Sequence, residues 1–434
     1  MGDILKERYI RLKPEQAAKM NLKRVEKIDF SGEIVLSDKG TQTDMIVIKD
    51  GDLVISGINA AKGAVAVFHG SKDVLATIHY SAYQFDEREI EVEYLKFLLK
   101  SDYFLNKLKM EVPGGMKTEL KAKHLLPLEI DLPDLPTQKR IVARLQALQA
   151  LHREADAKLA RLQGDVKRLR QSILQEAIQG KLVDYRPAPG EKTGAELLAD
   201  IRAEKERRAR AAGKKPEAPL PPVTPEEMPF DLPEGWVWCR LGEVGDFQRG
   251  HSKHRPRNDV RLFKNGEYPL VQTGDVSQSK RNGFLINSYS SQYNDFGLRQ
   301  SKLWEKGSLC ITIAANIAEV GILNIDACVP DSVVVFVPLS DFNVRFLLYY
   351  FLVFRERIEQ YAPATAQKNI NLGIIEGLIF PLPSFEMQTK IVELVEKKIG
   401  GCSEMYQQLT VLQNTVVSLW KSELQQTFKF ESNG

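Results

Sequence analysis

Basic side chains crowd one short stretch of this chain: Arg249, His251, Lys253, His254, Arg255 and Arg257, with Arg261 and Lys264 close behind. Cations at that density can neutralise phosphates, the main source of affinity and salt dependence in nucleic-acid binding. The competing reading is a solvated surface loop. Further on, Gln272-Thr273-Gly274-Asp275 and Ser279-Lys280-Arg281-Asn282 supply amide and guanidinium groups able to read base edges, or else make an ordinary turn cluster. Thr365 and Gln367-Lys368-Asn369 could reach the same ligand, or cap the chain as it enters a strand. Near the start the candidates are Arg11, Lys13, Lys23, Arg24, Asn59, Lys62, Lys117 and Lys123. Each stands alone, and lone surface cations usually serve solubility.

Residues for catalysis are missing. Adenine methylation needs a glycine-rich methyl-donor loop and an Asn/Asp-Pro-Pro-aromatic tetrapeptide, but Pro221-Pro222 is followed by Val223. Gly190-Glu191-Lys192-Thr193 lacks the glycine that precedes lysine in a nucleotide-binding loop. Glu119-Leu120-Lys121 is half of a nuclease motif, common by chance, and His251 and His254 lack a neighbouring metal partner. No catalytic, cofactor or metal residue is therefore assigned. Cys239, Cys310, Cys328 and Cys402 are scattered, which fits a reducing compartment and argues against disulfides or a zinc site. The formal net charge of +3 says little about partners. The first residues carry no signal-peptide core, and the longest apolar run, Phe346 to Phe354, is too short to span a membrane. The expectation is a soluble cytoplasmic protein.

The elements that must position the basic loops occur twice. Leu132-Pro133-Asp134-Leu135-Pro136-Thr137-Gln138-Lys139-Arg140-Ile141-Val142 returns as Leu382-Pro383-Ser384-Phe385-Glu386-Met387-Gln388-Thr389-Lys390-Ile391-Val392, an offset of 250 residues. The match continues without a gap: Leu159, Leu162, Val166 and Leu169 fall on Leu409, Leu412, Val416 and Leu419. Such self-similarity marks a repeated architecture. The 3-4 spacing of Leu159, Leu162, Val166, Leu169 and Ile173 predicts a coiled-coil seam on a helix from about Thr137 to Gln179, a rod of roughly 65 Å. A second rod is expected from about Glu386 to Phe428.

Before each rod lies a mixed α/β head. Met45–Ile48, Leu53–Ser56, Ala64–Phe68 and Val74–Ile78 read as strands, followed by one amphipathic helix from about Glu91 to Leu108. In the second head Leu309–Ile313 and Ser332–Val337 read as strands, and Phe346–Leu352 as the matching helix. The fold class is thus α/β (mixed α+β) heads with two long antiparallel helices in a pseudo-twofold repeat. The expected domains are 1–135, rod 136–180, a charged Pro-rich linker 181–230 with one short helix and a poorly packed extended half, 231–385, and rod 386–430.

At this point the chain resembles the specificity subunits of type I restriction-modification systems, over almost its whole length. Three motifs carry the resemblance. The Leu-Pro…Gln-x-x-Ile-Val opening sits at Gln138, Ile141 and Val142 and again at Gln388, Ile391 and Val392. Leu232-Pro233-Glu234-Gly235-Trp236-Val237-Trp238 with Leu241-Gly242-Glu243 looks like the usual opening of a recognition domain. Thr365-Ala366-Gln367-Lys368-Asn369-Ile370 precedes the second rod. The first unit lacks the Trp-containing opening, and Gly115–Leu120 is a poor copy of the Gln367 motif. An ungapped match of Gly51-Asp52-Leu53 to Gly307-Ser308-Leu309 sets Met1 opposite Arg257, so the first head is expected to start about 25 residues late.

The resemblance implies two target recognition domains reading a bipartite site in double-stranded DNA, with the rods as spacers that set the gap. It implies that two modification (methyltransferase) subunits and restriction/translocase subunits supply catalysis, with S-adenosylmethionine, ATP and Mg in those partners. Arg140, Arg144, Lys167, Arg168, Arg170, Lys390, Lys397 and Lys421 are candidates to dock them. The rivals are a self-contained DNA-modifying or DNA-cleaving enzyme, and a coiled-coil scaffold that never touches DNA.

Overall fold

The computed structural model describes residues 1–111, 119–183, 190–213, 218–314, 316–339, 341–360 and 370–429. The chain divides into two compact units, Met1–Leu162 with Gln408–Gly434, and Gln163–Gln407. Each long helix, Leu135–Ile178 and Phe385–Lys429, contributes one part to each unit.

In the first unit an antiparallel sheet runs in the order Leu5–Glu7, Tyr80–Phe85, Leu53–Ser56, Val65–Val67. A second sheet runs Arg11–Leu12, Met45–Ile48, Val74–Thr77, Arg24–Ile28, Ile34–Ser37. The turn at Lys49–Asp52 therefore passes the chain from one sheet to the other. Leu53, Ile55, Val65 and Tyr83 bury one face of the first sheet against Tyr94, Leu95, Leu98 and Leu99 of the helix Val92–Lys100. Val142 and Leu145 of the first long helix, with Leu424 and Phe428 of the second, join the same core.

The second unit repeats this plan. Its main sheet runs Gly245–Arg249, Val333–Pro338, Leu309–Thr312, Val320–Leu323, Leu285–Ile286. The outer sheet runs Ser291–Tyr293, Tyr268–Leu270, Ala327–Cys328, Leu303–Trp304. Leu309, Ile311, Val334 and Phe336 pack on Phe346, Leu347 and Tyr350 of the helix Val344–Gln360. Here the first long helix supplies Ile173, Ala177 and Ile178, and the second Met387, Ile391 and Val395.

The repeated Gln of the Leu-Pro…Gln motif explains why the opening of each rod is preserved. Gln138 and Gln388 are both fully buried. The side-chain carbonyl of Gln138 accepts from the Glu91 N–H at 2.8 Å, while its amide donates to the Glu89 and Pro133 carbonyls, each at 2.9 Å. Gln388 accepts from the Asn343 N–H at 2.8 Å and donates to the Pro383 carbonyl at 3.2 Å. Glu91 and Asn343 each immediately precede the helix laid on the sheet, so one side chain ties each rod to a backbone N–H at the start of the head's own helix.

Within the first unit the two long helices run antiparallel. Arg144 donates to Glu423 at 2.9 Å, His152 lies 6.1 Å from the Trp420 ring, and Gln413 donates to Asp156 at 2.8 Å. Within the second, the Lys167 ammonium stands 5.4 Å over the Tyr406 ring. Arg144 and Lys167, candidates for docking partners, are thus engaged between the helices themselves.

Four expectations are corrected. The helix from Glu91 to Leu108 is two helices, Val92–Lys100 and Asp102–Glu111. The break is at Ser101, whose buried hydroxyl donates to the Leu98 carbonyl and accepts from the Phe104 N–H. Only part of the proposed seam faces inward: Leu159, Val166 and Ile173 do, but Leu162 and Leu169 are 48% and 46% exposed. His152 and Asp156 face the other helix instead, so the two apolar stripes of the spacing are not both used.

Much of the stretch read as a loose linker is well packed. The helix Gly194–Ala211 buries Leu197, Leu198 and Ile201 in the second unit's core, and Thr193 caps it, accepting from the Glu196 N–H at 3.2 Å. The Pro-rich part is fastened by Arg240, which donates to the Pro221 and Pro222 carbonyls at 2.9 and 3.1 Å and pairs with Glu227 at 2.7 Å. Proline lacks an N–H but keeps a carbonyl that accepts. Lastly, Glu7 stands opposite Tyr83 as Phe247 stands opposite Phe336, and Leu53 and Leu309 pair with those same partners. Strand pairing therefore matches Glu7 to Phe247, not Met1 to Arg257, because the segment between the first two of these strands is shorter in the first unit.

Replacing Gln388 by alanine orphans a part-buried N–H and a buried carbonyl and leaves a cavity. The expected cost is about 2–3 kcal/mol in urea-induced unfolding. A change below roughly 0.5 kcal/mol would show that the anchor is not energetically important.

Candidate nucleic-acid interface

The basic stretch of the second unit begins at the end of an edge strand, Gly245–Arg249, and continues into the loop that follows. Acidic partners that the sequence did not single out organise it. Arg257 donates to the Asp331 carboxylate at 2.7 Å, and Arg255 lies 3.5 Å from the same oxygen. Arg255 also donates to the Ser252 and His254 carbonyls, and Arg249 to the Asp331 carbonyl. A second acid, Asp259, contacts His254 at 2.8 Å and takes the Arg261 guanidinium at 2.7 Å. The His254 ring also stands edge-on to Phe296, 5.3 Å away, which fixes its plane.

The other candidates divide into engaged and exposed side chains. Gln272 donates through its side-chain amide to the Ser290 and Ser291 hydroxyls at 3.2 and 3.4 Å, and its backbone N–H donates to Asp275 at 2.8 Å. Thr273 opens the helix Thr273–Gln278, which leads into the turn Ser279–Asn282 carrying Lys280 and Arg281. Lys253, Lys264, Lys280 and Arg281 are exposed. Thr365, Gln367, Lys368, Asn369 and Lys117 lie outside the described residues.

In the first unit, Arg11 and Lys13 converge on Asp44, at 2.5 and 3.0 Å. Hydrogen bonds from Lys13 and then Arg11 hold the Asp44 carboxyl below its ordinary range, despite desolvation acting the other way. Asn59 is half-buried at the start of a short turn, and the Lys62 ammonium at its end lies 5.7 Å over the Phe30 ring. Lys123 is exposed on the short helix Ala122–Leu125. Basic residues named from sequence thus form local clusters around Asp331, Asp259 and Asp44. None of the three acids stood out in sequence, because the chain brings them in from distant positions or because a single Asp in a loop carries no pattern.

Residues 6–161 and 233–410 match the family model described as the type I restriction modification DNA specificity domain. Two such regions cover most of the chain, and the chain belongs to that family. Among individual proteins it is similar to the specificity subunits of three type I restriction enzymes of Escherichia coli. It is 43% identical to that of EcoAI over 90 residues, 21% of this chain and 15% of that one. It is 26% identical to that of EcoEI over 284 residues, 59% and 44% of the two chains. With that of EcoBI the identity is 24% over 319 residues, 72% and 60%. The chain therefore spans between 15% and 60% of the length of these relatives.

Two solved structures share the fold. One is the HsdS subunit from Thermoanaerobacter tengcongensis, with TM-score 0.60, 20% identity, and coverage of 99% of this chain and 95% of that one. The other comes from work on complex assembly and conformational transition of the type I R-M system, with TM-score 0.68, 19% identity, and 98% and 96% coverage. No described helix is long and apolar enough to cross a membrane.

The Asp259 cluster has a pH signature. Hydrogen bonds from the Arg261 side chain first, then from its backbone and from His254, hold the Asp259 carboxyl well below the usual carboxylate range. A depressed folded-state pKa adds stability above the unfolded value, about 3.9, and loses it as pH falls through the folded one. The wild type should therefore unfold at a higher temperature than Asp259→Asn at neutral pH, with the gap closing only below about pH 4. A gap that closes as pH rises above neutrality would contradict this assignment.

Proposed function

We propose that this chain is the non-catalytic DNA sequence-recognition subunit of a type I restriction-modification complex. The observation that carries the reading is the family match to two separate regions of one chain, each a head closed by parts of the same two long helices. Each head reads one half of a bipartite, asymmetric target in double-stranded DNA, and the helices set the gap between the halves. Arg249, Lys253, His254, Arg255, Arg257, Lys264, Gln272, Thr273, Lys280 and Arg281 are the contacts proposed for the second head, with Thr365, Gln367, Lys368 and Asn369. Arg11, Lys13, Asn59, Lys62, Lys117 and Lys123 are those proposed for the first. Phosphate contacts set affinity and register, while base contacts and DNA shape set sequence preference.

Catalysis belongs to partners in this reading. Two modification subunits bind S-adenosylmethionine and methylate adenine in each half-site, and restriction/translocase subunits use ATP and Mg in the cytoplasm. The sequence supports this by lacking a methyl-donor loop and the Pro-Pro-aromatic tetrapeptide.

Methylation mapping of host DNA with and without the gene is the direct test. A two-part adenine motif with a fixed gap should appear with the gene and vanish without it. Removing one turn, about four residues, from a long helix should change the permitted gap. An unchanged gap would remove the spacer role, and saturable binding of S-adenosylmethionine to the isolated chain would favour a self-contained enzyme.

A further inference from the structure

We propose that each unit carries a two-cation clamp for one DNA backbone phosphate, positioned by a single carboxylate: Asp331 for Arg255 and Arg257, Asp44 for Arg11 and Lys13. The proposal rests on the DNA-recognition reading above and adds residues and a role that the reading does not contain.

Both units set two cations against one carboxylate oxygen, and the Arg255 contact on Asp331 is the loosest of the four. One carboxylate oxygen, Oδ2, receives both cations: Arg257 at 2.7 Å and Arg255 at 3.5 Å on Asp331, Arg11 at 2.5 Å and Lys13 at 3.0 Å on Asp44. The acids are the inner members, 25% and 14% exposed, whereas the four cations are 47–70% exposed. The carboxylates hold Arg257, Arg11 and Lys13 directly; Arg255 is held mainly by the Ser252 and His254 carbonyls, and Arg11 also donates to the Tyr9 hydroxyl, while each exposed group keeps further N–H donors for a ligand. Two cations on one anion leave each cluster with one net positive charge, which a phosphate monoanion completes.

Without the acid the two cations repel each other, and Arg257 and Lys13 lose a contact that holds them. With it they are already adjacent, so less side-chain entropy is lost when phosphate arrives. Asp331 is fixed from elsewhere as well, since its backbone carbonyl accepts from Arg249.

The clamps are not inherited from the repeat. Asp44 lies directly before the strand Met45–Ile48 of the first unit's second sheet, while Asp331 precedes the strand Val333–Pro338 in the second unit's main sheet. The same arrangement arises at unlike places, which an incidental by-product of the duplicated fold does not explain.

Charge counting and positioning predict opposite signs. Asp331→Asn and Asp44→Asn each add one unit of positive charge, so charge alone predicts tighter DNA binding. A clamp predicts weaker binding, on the order of fivefold for each substitution, with a shallower salt dependence corresponding to about one lost phosphate contact.

The measurement is fluorescence anisotropy of a random-sequence DNA duplex with the full-length chain across a salt series, since phosphate contacts need no particular sequence. Thermal unfolding of each variant checks the fold, and Arg257→Gln, an exposed change, provides a second probe of the same clamp. Asp331→Asn should add no further loss in an Arg255→Gln/Arg257→Gln background, whereas a merely structural role would add its full effect there. Unchanged or tighter binding by both Asp→Asn variants, or an additive loss in the arginine-free background, overturns the clamp. A wild-type chain that binds no duplex overturns the DNA-recognition reading and the clamp together, while normal wild-type binding with indifferent variants overturns the clamp alone.

Discussion

The structure depends on one buried amide used twice. Gln138 and Gln388 sit where a long helix leaves its head, and each accepts from the backbone N–H just ahead of the helix that covers the sheet. Buried donors must be paired, and leaving one unpaired costs about 1–3 kcal/mol. Each glutamine therefore ties the direction of a long helix to the direction of the head's own helix. Loops elsewhere in the head are free of this constraint, which accounts for a well-preserved rod opening beside heads that share little sequence.

The packing makes the same division. Sheet residues such as Leu53 and Tyr83, or Leu309 and Phe336, press on a single helix, and that helix presses on parts of both long helices. The conserved plan is a stack of sheet, helix and helix pair. The basic loops lie outside the stack, at strand ends and turns, where side-chain changes alter contacts without disturbing the core.

Much of this plan was legible in the sequence because it is periodic. The repeat at 250 residues and the long helices follow from spacing, and the strands Met45–Ile48, Leu53–Ser56 and Leu309–Thr312 from short β-branched runs. What escaped were features set by single side chains. Ser101 breaks a helix with one hydroxyl, and Arg240 fastens a proline-rich segment with one guanidinium. Leu197, Leu198 and Ile201 form an apolar face too short to stand out among charged neighbours. Leu162 and Leu169 have the right spacing for a seam but face outward, since spacing selects a set of stripes and packing decides which one is used. Among the basic residues, sequence found the cations but not Asp44, Asp259 and Asp331, whose role depends on proximity in space.

The central claim is that the two heads read DNA separately, and exchanging one head tests it most directly. Replacing residues 231–385 with the corresponding head of a family member of different specificity, then mapping methylation in cells that supply the modification subunits, gives the answer. The account predicts that one half of the motif changes while the other half and the gap stay fixed. Loss of both halves in a folded, methylating complex, or retention of the original motif, would contradict it.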